Sequence, residues 1–362
     1  MNIVHTEASC GWGGQEIRIL EEASGLIARG HQVHLLCPPE ARIFAEAPRF
    51  GVPATPLPIA RKNPLGVLAL RRWLAEQRPD VLNTHSSTDS WLSALACATL
   101  RSAPPLVRTR HISTPVPDNA TTRWLYQRAT RHIVTTGEAL RLELIRRNGF
   151  SADCITSVPT GIDPQRYAPG DRAQARAELA AFGVSLSATE PLLLICATLR
   201  SWKGHVYLLE ALAGLPGLRL AVVGDGPHRP IIEQKVAELG LSKRVIFAGQ
   251  QQDVTPWLRA ANLFVLPSYA NEGVPQAVLQ AMMAALPVVS TTVGAIAEAV
   301  DNGVTGRLVA LRDSAALRTA LAELLAAPET AATMGRAGRQ RALAHFSREA
   351  MLDRMESIFR AA

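Results

Sequence analysis

The chain of 362 residues carries little charge. Only 19% of its residues are Asp, Glu, Lys or Arg, against 48% apolar, a balance that excludes a disordered chain and fits a folded protein with a sizeable core. No block of five or more like charges occurs. The formal net charge of +7 is spread along the sequence, with 18 basic and 14 acidic residues in 1–165 and 20 and 17 after it, so a nucleic-acid-binding tail is not expected. No stretch approaches 18 uninterrupted apolar residues, and no transmembrane helix is expected. Met1-Asn-Ile-Val-His reads as the start of a strand and lacks the basic segment and long apolar run of a secretory signal. The five cysteines, at 10, 37, 97, 154 and 196, are odd in number, scattered and without a Cys-x-x-Cys pair. They suit a reducing cytoplasm. Asp-x-Asp, metal-ligand spacings of His, Cys and Asp, Gly-x-Ser-x-Gly and Walker A are all absent. No metal is therefore expected, and the obvious hydrolase and kinase readings fall away.

What is present is regular alternation. The length suits two domains of roughly 150 to 180 residues. β-rich runs near 2–5, 31–36, 80–84, 105–110, 132–136 and 154–158 are separated mostly by helical patterns, while Pro53-Ala-Thr-Pro-Leu-Pro58 is extended. The same architecture restarts with Leu192-Leu-Leu-Ile-Cys-Ala and continues through runs at 218–223, 245–247, 262–266 and 287–291. Short strands without alternation are those of parallel sheets buried on both faces, and strand-helix repeats imply doubly wound α/β layers. The expected division is 1–165, a connection at 166–190, a second domain at 191–345 and a terminal helix at 346–362.

The most informative stretch is Pro267-Ser-Tyr-Ala-Asn-Glu272-Gly-Val-Pro275-Gln-Ala-Val-Leu-Gln280. A buried strand, Asn262-Leu-Phe-Val-Leu, precedes it. Gly273 and Pro275 open an apolar helix, with the proline expected in the first turn. A helix start attracts phosphate, but Glu272 would repel it, so a ligand bearing both phosphate and hydroxyls would use both features. A nucleotide sugar is such a ligand. The stretch resembles the Glu-x7-Glu motif of the retaining glycosyltransferases of family GT4. Membership would imply the GT-B fold, two facing Rossmann-like domains with a cleft between them and a terminal helix that crosses back onto the first. In that motif the first Glu, here Glu272, meets donor-sugar hydroxyls. The second holds the ribose and is replaced by Gln280. The backbone N–H groups of Gly273 and Val274 would lie near the donor.

Other segments extend the resemblance. Gly13 and Gly14, in the first strand-to-helix loop, match a Gly-Gly pair that faces the donor diphosphate, and paired glycines also make a plain tight turn. Lys203-Gly204 matches the Lys-Gly of an Arg-Leu…Lys-Gly element. Thr198 stands where that element has Arg, and Arg200 is the substitute two residues on. Two cations here would neutralise a diphosphate and support its departure. Gly224-Asp225-Gly226-Pro227 resembles the family's Gly-x-Gly-Pro turn beside the donor, and backbone groups at Gly249-Gln250 would meet the nucleobase. His111, after Val107-Arg-Thr-Arg, corresponds to a His that reaches the donor sugar. His85 is a candidate on the acceptor side.

The function expected from these residues is a retaining, metal-independent sugar transfer. The donor would be a nucleoside diphosphate sugar, UDP- or GDP-linked, serving as co-substrate with no separate cofactor, and the acceptor a hydroxyl of a lipopolysaccharide or other cell-envelope glycan or glycolipid. A sugar-nucleotide epimerase of the same architecture and a non-catalytic nucleotide-sugar-binding subunit are the alternatives. Thr121 to Arg131 mixes Trp124 and Tyr126 with Arg123, Arg128 and Arg131. It is either a peripheral contact with the cytoplasmic face of the inner membrane or a helix with one buried and one basic solvated face.

Overall fold

The computed structural model describes residues 1–181, 183–187 and 189–362. They divide into two compact units, Met1–Gly161 with Arg348–Ala362, and Ile162–Ser347. The first unit holds a seven-stranded sheet of β1 (Asn2–Thr6), β2 (Gln32–Cys37), β3 (Ala54–Pro56), β4 (Val81–Thr84), β5 (Leu106–Arg110), β6 (His132–Thr135) and β7 (Ile155–Ser157). Their order is β3-β2-β1-β4-β5-β6-β7, and every pairing is parallel. Successive side chains of a strand point to opposite faces. Ile3 accordingly joins one apolar cluster, with Ile19, Leu26 and Val33, and Val4 joins the other, with Leu36, Leu70 and Leu82.

The second unit repeats the design with β8 (Leu192–Cys196), β9 (Arg219–Val223), β10 (Val245–Gly249), β11 (Leu263–Leu266), β12 (Val288–Thr291) and β13 (Gly306–Val309). The order is β10-β9-β8-β11-β12-β13, again all parallel. Each sheet therefore reverses its winding once, between β1 and β4 and between β8 and β11. Loops leaving the carboxyl ends of such strands diverge to opposite faces and open a crevice, the general ligand position of open α/β sheets.

Several expectations change in detail. Residues 166–190 lie within the second unit instead of forming a connection between domains. Arg176, on the helix Arg172–Ala181, donates to Ala260 O at 3.2 Å and to Asn262 Oδ1 at 3.0 Å, which fastens that helix to the segment leading into β11. The chain changes unit at Gly161–Ile162 and again at Ser347–Arg348. β13 has no counterpart in the sequence reading, and part of the extended 53–58 stretch forms the edge strand β3. Pro275 caps the helix Gln276–Met283 from outside its first turn. In the 121–131 segment, Leu125 and Tyr126 are buried and Trp124 stacks on Trp91 with centroids 5.9 Å apart. Arg123, Arg128 and Arg131 are exposed. This is the arrangement of a helix with a buried face and a basic solvated one.

The terminal helix Arg348–Ala361 completes the first unit. Met351, Leu352, Met355, Ile358 and Phe359 are buried in the cluster that contains Ile19, Leu20, Ala23 and Leu26 of the helix Gly14–Ala28. At one edge Arg29 pairs with Glu349, Asp353 and Glu356 at 2.5, 2.8 and 3.2 Å. Glu349 and Asp353 are mostly exposed, so the apolar seam carries most of the attachment. Leu352 is 1% exposed. Leu352→Ala is expected to cost about 2–4 kcal/mol, read as a lower urea midpoint for the first unit. An unchanged midpoint would show that the helix adds nothing to that unit's stability.

Candidate active site

In the second unit, the loops after β8 and β11 are locked to each other. After Arg200 the chain makes a single 3₁₀ turn, Ser201–Lys203, and reaches Gly204 at φ +76°. A Cβ on Gly204 would lie 2.0 Å from Pro267 O, so only glycine permits this approach of the two loops. The Tyr269 N–H donates to Trp202 O at 2.8 Å. The result is a direct ion pair. Lys203 Nζ donates to Glu272 Oε1 at 2.6 Å, with Glu272 4% exposed overall. From the other side, Gly294 at φ +60° presses on the Glu272 backbone, where a Cβ would meet Glu272 O at 2.0 Å. Gly294 belongs to the loop after β12 and was not singled out in the sequence.

Arg200 is exposed, with its guanidinium 5.7 Å from the Trp202 ring centre. The Gly224 N–H donates to Gly249 O at 2.8 Å, which joins the ends of β9 and β10. Leu199 donates to Asp225 O and accepts from the His228 N–H at 3.0 and 2.9 Å, clasping the Gly-x-Gly-Pro turn against the end of the Arg200 loop. Gln250 is exposed just past β10. Gly273 and Val274 are buried ahead of the helix Gln276–Met283. On that helix Gln280 is buried, and its Nε2 donates to Tyr167 Oη at 3.0 Å. One N–H of the residue expected at the ribose is thus already engaged.

In the first unit the polar residues gather at the carboxyl ends of β1, β4 and β5. His5 Nδ1 is 2.9 Å from His85 Nε2, and His85 Nδ1 is 3.0 Å from His111 Nε2. Both ring nitrogens of His85 are therefore taken up within the protein, which leaves no free one for the acceptor-side role expected of it. All three rings are held neutral. Burial and then Arg18 lower His5 to about 3. Burial also holds His85 well below the usual range, reinforced by its two neighbours and Arg18, and does the same for His111 with Arg18 and Arg110. Arg18 is fully buried, 3.5 Å from Glu22, and donates to Val158 O at 2.7 Å.

Beside the histidines, Asp89 accepts from Thr6 Oγ1 and the His85 N–H at 2.7 and 2.8 Å and closes a capping box with Ser86. Glu7 accepts from the Ser9 N–H at 2.7 Å and from Gln15 Nε2, folding the loop that carries Gly13 and Gly14. Burial, Asp89 and Glu16 push the Glu7 carboxyl well above its ordinary value. Gly13 is the N-cap of the helix Gly14–Ala28 and Gly14 its exposed first residue. His5, Glu7 and Asp89 were not read as site residues. The sequence signal of His5 and Glu7 is position, polar groups at the end of an apolar strand, and that of Asp89 is its place three residues after Ser86 in a capping box. Among the described residues, no three His, Cys, Asp or Glu side chains are grouped so as to hold a metal ion.

Residues 12–166 match the family model described as Glycosyltransferase Family 4, and residues 190–327 that described as Glycosyl transferases group 1. The D-inositol 3-phosphate glycosyltransferase of Mycobacterium avium is 31% identical over 394 residues, which cover 97% of this chain and 89% of that protein. The chain belongs to glycosyltransferase family 4. The lipopolysaccharide core biosynthesis glycosyltransferase LpsE of Rhizobium meliloti is 33% identical over 151 residues, 42% of this glycosyltransferase and 44% of LpsE. Anabaena HepE, solved in complex with UDP-glucose, matches all of both chains with a TM-score of 0.89 at 21% identity. At that identity the likeness shows the fold, the two Rossmann-like domains of GT-B glycosyltransferases.

One buried group of this glycosyltransferase gives a pH prediction. His205, 3% exposed at the start of the helix His205–Ala213, is lowered to about 3 by burial, with Lys203 and His228 adding to it. Its folded pKa lies below the unfolded one. As pH falls below about 6.5 the unfolded chain takes up a proton that the folded chain refuses, and stability drops by up to ~1.4 kcal/mol per pH unit until about pH 3. His205→Leu removes this loss. Urea titrations at pH 7 and 4.5 are expected to show the variant gaining about 2–3 kcal/mol on the wild type between the two. A difference independent of pH would show that the ring is charged in the folded enzyme.

Proposed function

We propose that this glycosyltransferase performs a retaining transfer of a sugar from a UDP- or GDP-sugar to a hydroxyl of a lipopolysaccharide or other cell-envelope glycan. The observation that carries the reading is the 2.6 Å pair between Lys203 and Glu272, at the carboxyl ends of the two strands that flank the reversal of the second sheet. A ligand with a diphosphate next to sugar hydroxyls satisfies both partners at once. The diphosphate draws the ammonium, and the released carboxylate accepts from hydroxyls. Supporting the donor class is the binding of UDP-glucose by HepE, and supporting the acceptor class is the role named for LpsE.

In this reading Lys203 and Arg200 stabilise the leaving diphosphate, with no divalent metal assigned to that task. The backbone at Gly13 and Gly14 and the N–H groups of Gly273 and Val274 add donors for the donor substrate. The turn at Gly224 lies beside the donor, backbone groups at Gly249 and Gln250 meet the nucleobase, and Gln280 serves the ribose. His111 serves the transferred sugar. The departing phosphate takes the acceptor's proton on the face it vacates, so no side chain is assigned as general base.

The test is a screen of UDP-, GDP- and ADP-sugars for thermal stabilisation, then nucleotide release with and without envelope-glycan extract, and NMR of the product's anomeric proton. One donor is expected to stabilise the enzyme, with acceptor-dependent release and retained configuration. Glu272→Ala should lower release on the order of 10²–10³-fold. Stabilisation by no donor, or an inverted product, would overturn the reading. Gln280→Glu restores a carboxylate that can accept from Tyr167 Oη and from a ribose hydroxyl. It is expected to tighten donor binding about ten-fold, measured by calorimetric titration, and an unchanged affinity would remove Gln280 from the ribose contact.

A further inference from the structure

The three histidines of the first unit form a single file of hydrogen bonds. Both neighbouring ring pairs have centroids 5.2 Å apart, tilted by 19° and 33°, and each contact joins one nitrogen to one nitrogen at 2.9 and 3.0 Å. A neutral imidazole has one N–H and one lone pair. Three neutral rings in series therefore admit only two proton orders. In the outward order His5 Nδ1–H donates to His85 Nε2, His85 Nδ1–H donates to His111 Nε2, and His111 carries its proton on Nδ1. In the inward order every donation reverses and His5 carries its proton on Nε2.

The inner end decides between them. His5 is fully buried, with the Phe359 ring nearly perpendicular to it at 6.3 Å between centroids, and its Nε2 has no hydrogen-bond partner among the described residues. The inward order would place an unpaired N–H there. The outward order leaves only a lone pair, and buried orphan N–H groups are the rarer and costlier defect. The cost of one unmade donor favours the outward order on the order of ten- to a hundred-fold. No protonated ring disturbs the count, since burial and Arg18 keep all three neutral.

We propose that His5, acting through His85, is a positioning residue that fixes His111 in its Nδ1–H tautomer, so that the half-buried outer end of the file presents a neutral hydrogen-bond donor to an oxygen of the transferred sugar. The tautomer follows from the first unit alone. Its use on the sugar rests on the functional reading given above. His5 and His85 touch no substrate in this arrangement, and His111 alone meets it.

The experiment is a long-range ¹H–¹⁵N spectrum of the whole enzyme labelled with ¹⁵N-histidine, His111 being assigned by the signal lost in His111→Gln. Protonated Nδ1 with a bare, hydrogen-bonded Nε2 is expected, and protonated Nε2 overturns the proposal without touching the family or the donor assignment. His5→Asp replaces the inner donor by an acceptor whose negative charge the cation of Arg18 favours. It is expected to move the His111 proton to Nε2 and to lower kcat about ten- to a hundred-fold. A folded variant whose His111 keeps its tautomer overturns the role of His5. A switched tautomer with wild-type turnover overturns the use of the Nδ1–H. Separately, full transfer by His111→Gln would remove His111 from the sugar while the wild-type spectrum still decides the tautomer.

Discussion

Strands buried on both faces can carry almost no chemistry along their length. β8 reads Leu-Leu-Leu-Ile-Cys, every residue buried, and β11 reads Leu-Phe-Val-Leu, likewise. Polar groups that must meet a ligand are confined to the ends, and the parallel order brings all the carboxyl ends to one edge of each sheet. Where the winding reverses, two of those ends adjoin with their loops turned apart. Lys203 and Glu272 occupy one such place, and His5 and His85 occupy the other. The sheet topology thus sets which residues, far apart in sequence, are able to act together.

The two places are charged differently. In the second unit a cation and an anion face each other within hydrogen-bonding distance, and the pair is held by backbone geometry at Gly204 and Gly294, not by side-chain packing alone. Removing either partner would leave the other partly buried and uncompensated, which is why such a pair suits a site that exchanges one partner for a ligand better than one that simply adds stability. In the first unit the fully buried cation Arg18 is turned to Glu22 and the carbonyl of Val158. What it does to the histidines is to keep a proton off them.

The sequence made the strands legible because their apolar runs are short, uninterrupted and bounded by turn residues. Ten of the eleven expected strands agree with the observed bounds to within one residue, and β10 runs two residues further than expected, to Gly249. β13 escaped because Gly-Arg-Leu-Val holds only two apolar residues and has no period to detect. The unit boundary differs because Arg172–Ala181, a helix rich in Arg and Ala, looks like a tether, whereas bonds such as those of Arg176 to residues more than 80 positions later fix it in the second unit. Individual candidates such as Glu272 and Lys203 were visible from their motifs, but their contact, 69 residues apart, was not. The same holds for Gln280 with Tyr167 and for the histidine file, whose members are separated by 80 and 26 positions. A lone His near the end of a strand carries no sign of its partner until the sheet order is known.

Neutrality is the property that makes the histidine file useful in the proposed transfer. As the bond to the diphosphate stretches, positive charge grows on the sugar carbon, and an imidazolium at His111 would oppose it by several kcal/mol at short range in a poorly solvated site. A neutral N–H can bond a sugar oxygen in the ground state and in the transition state without that penalty. Keeping a histidine neutral near pH 6 to 7 requires more than burial of one ring, because a hydrogen-bonded neighbour with a free lone pair would stabilise the charged form. Placing two more buried rings behind it, with the charge of Arg18 acting on all three, raises the cost of a proton anywhere in the file. The inner rings thus do for His111 what a carboxylate partner would do for its orientation, without the negative charge that would draw a proton onto it.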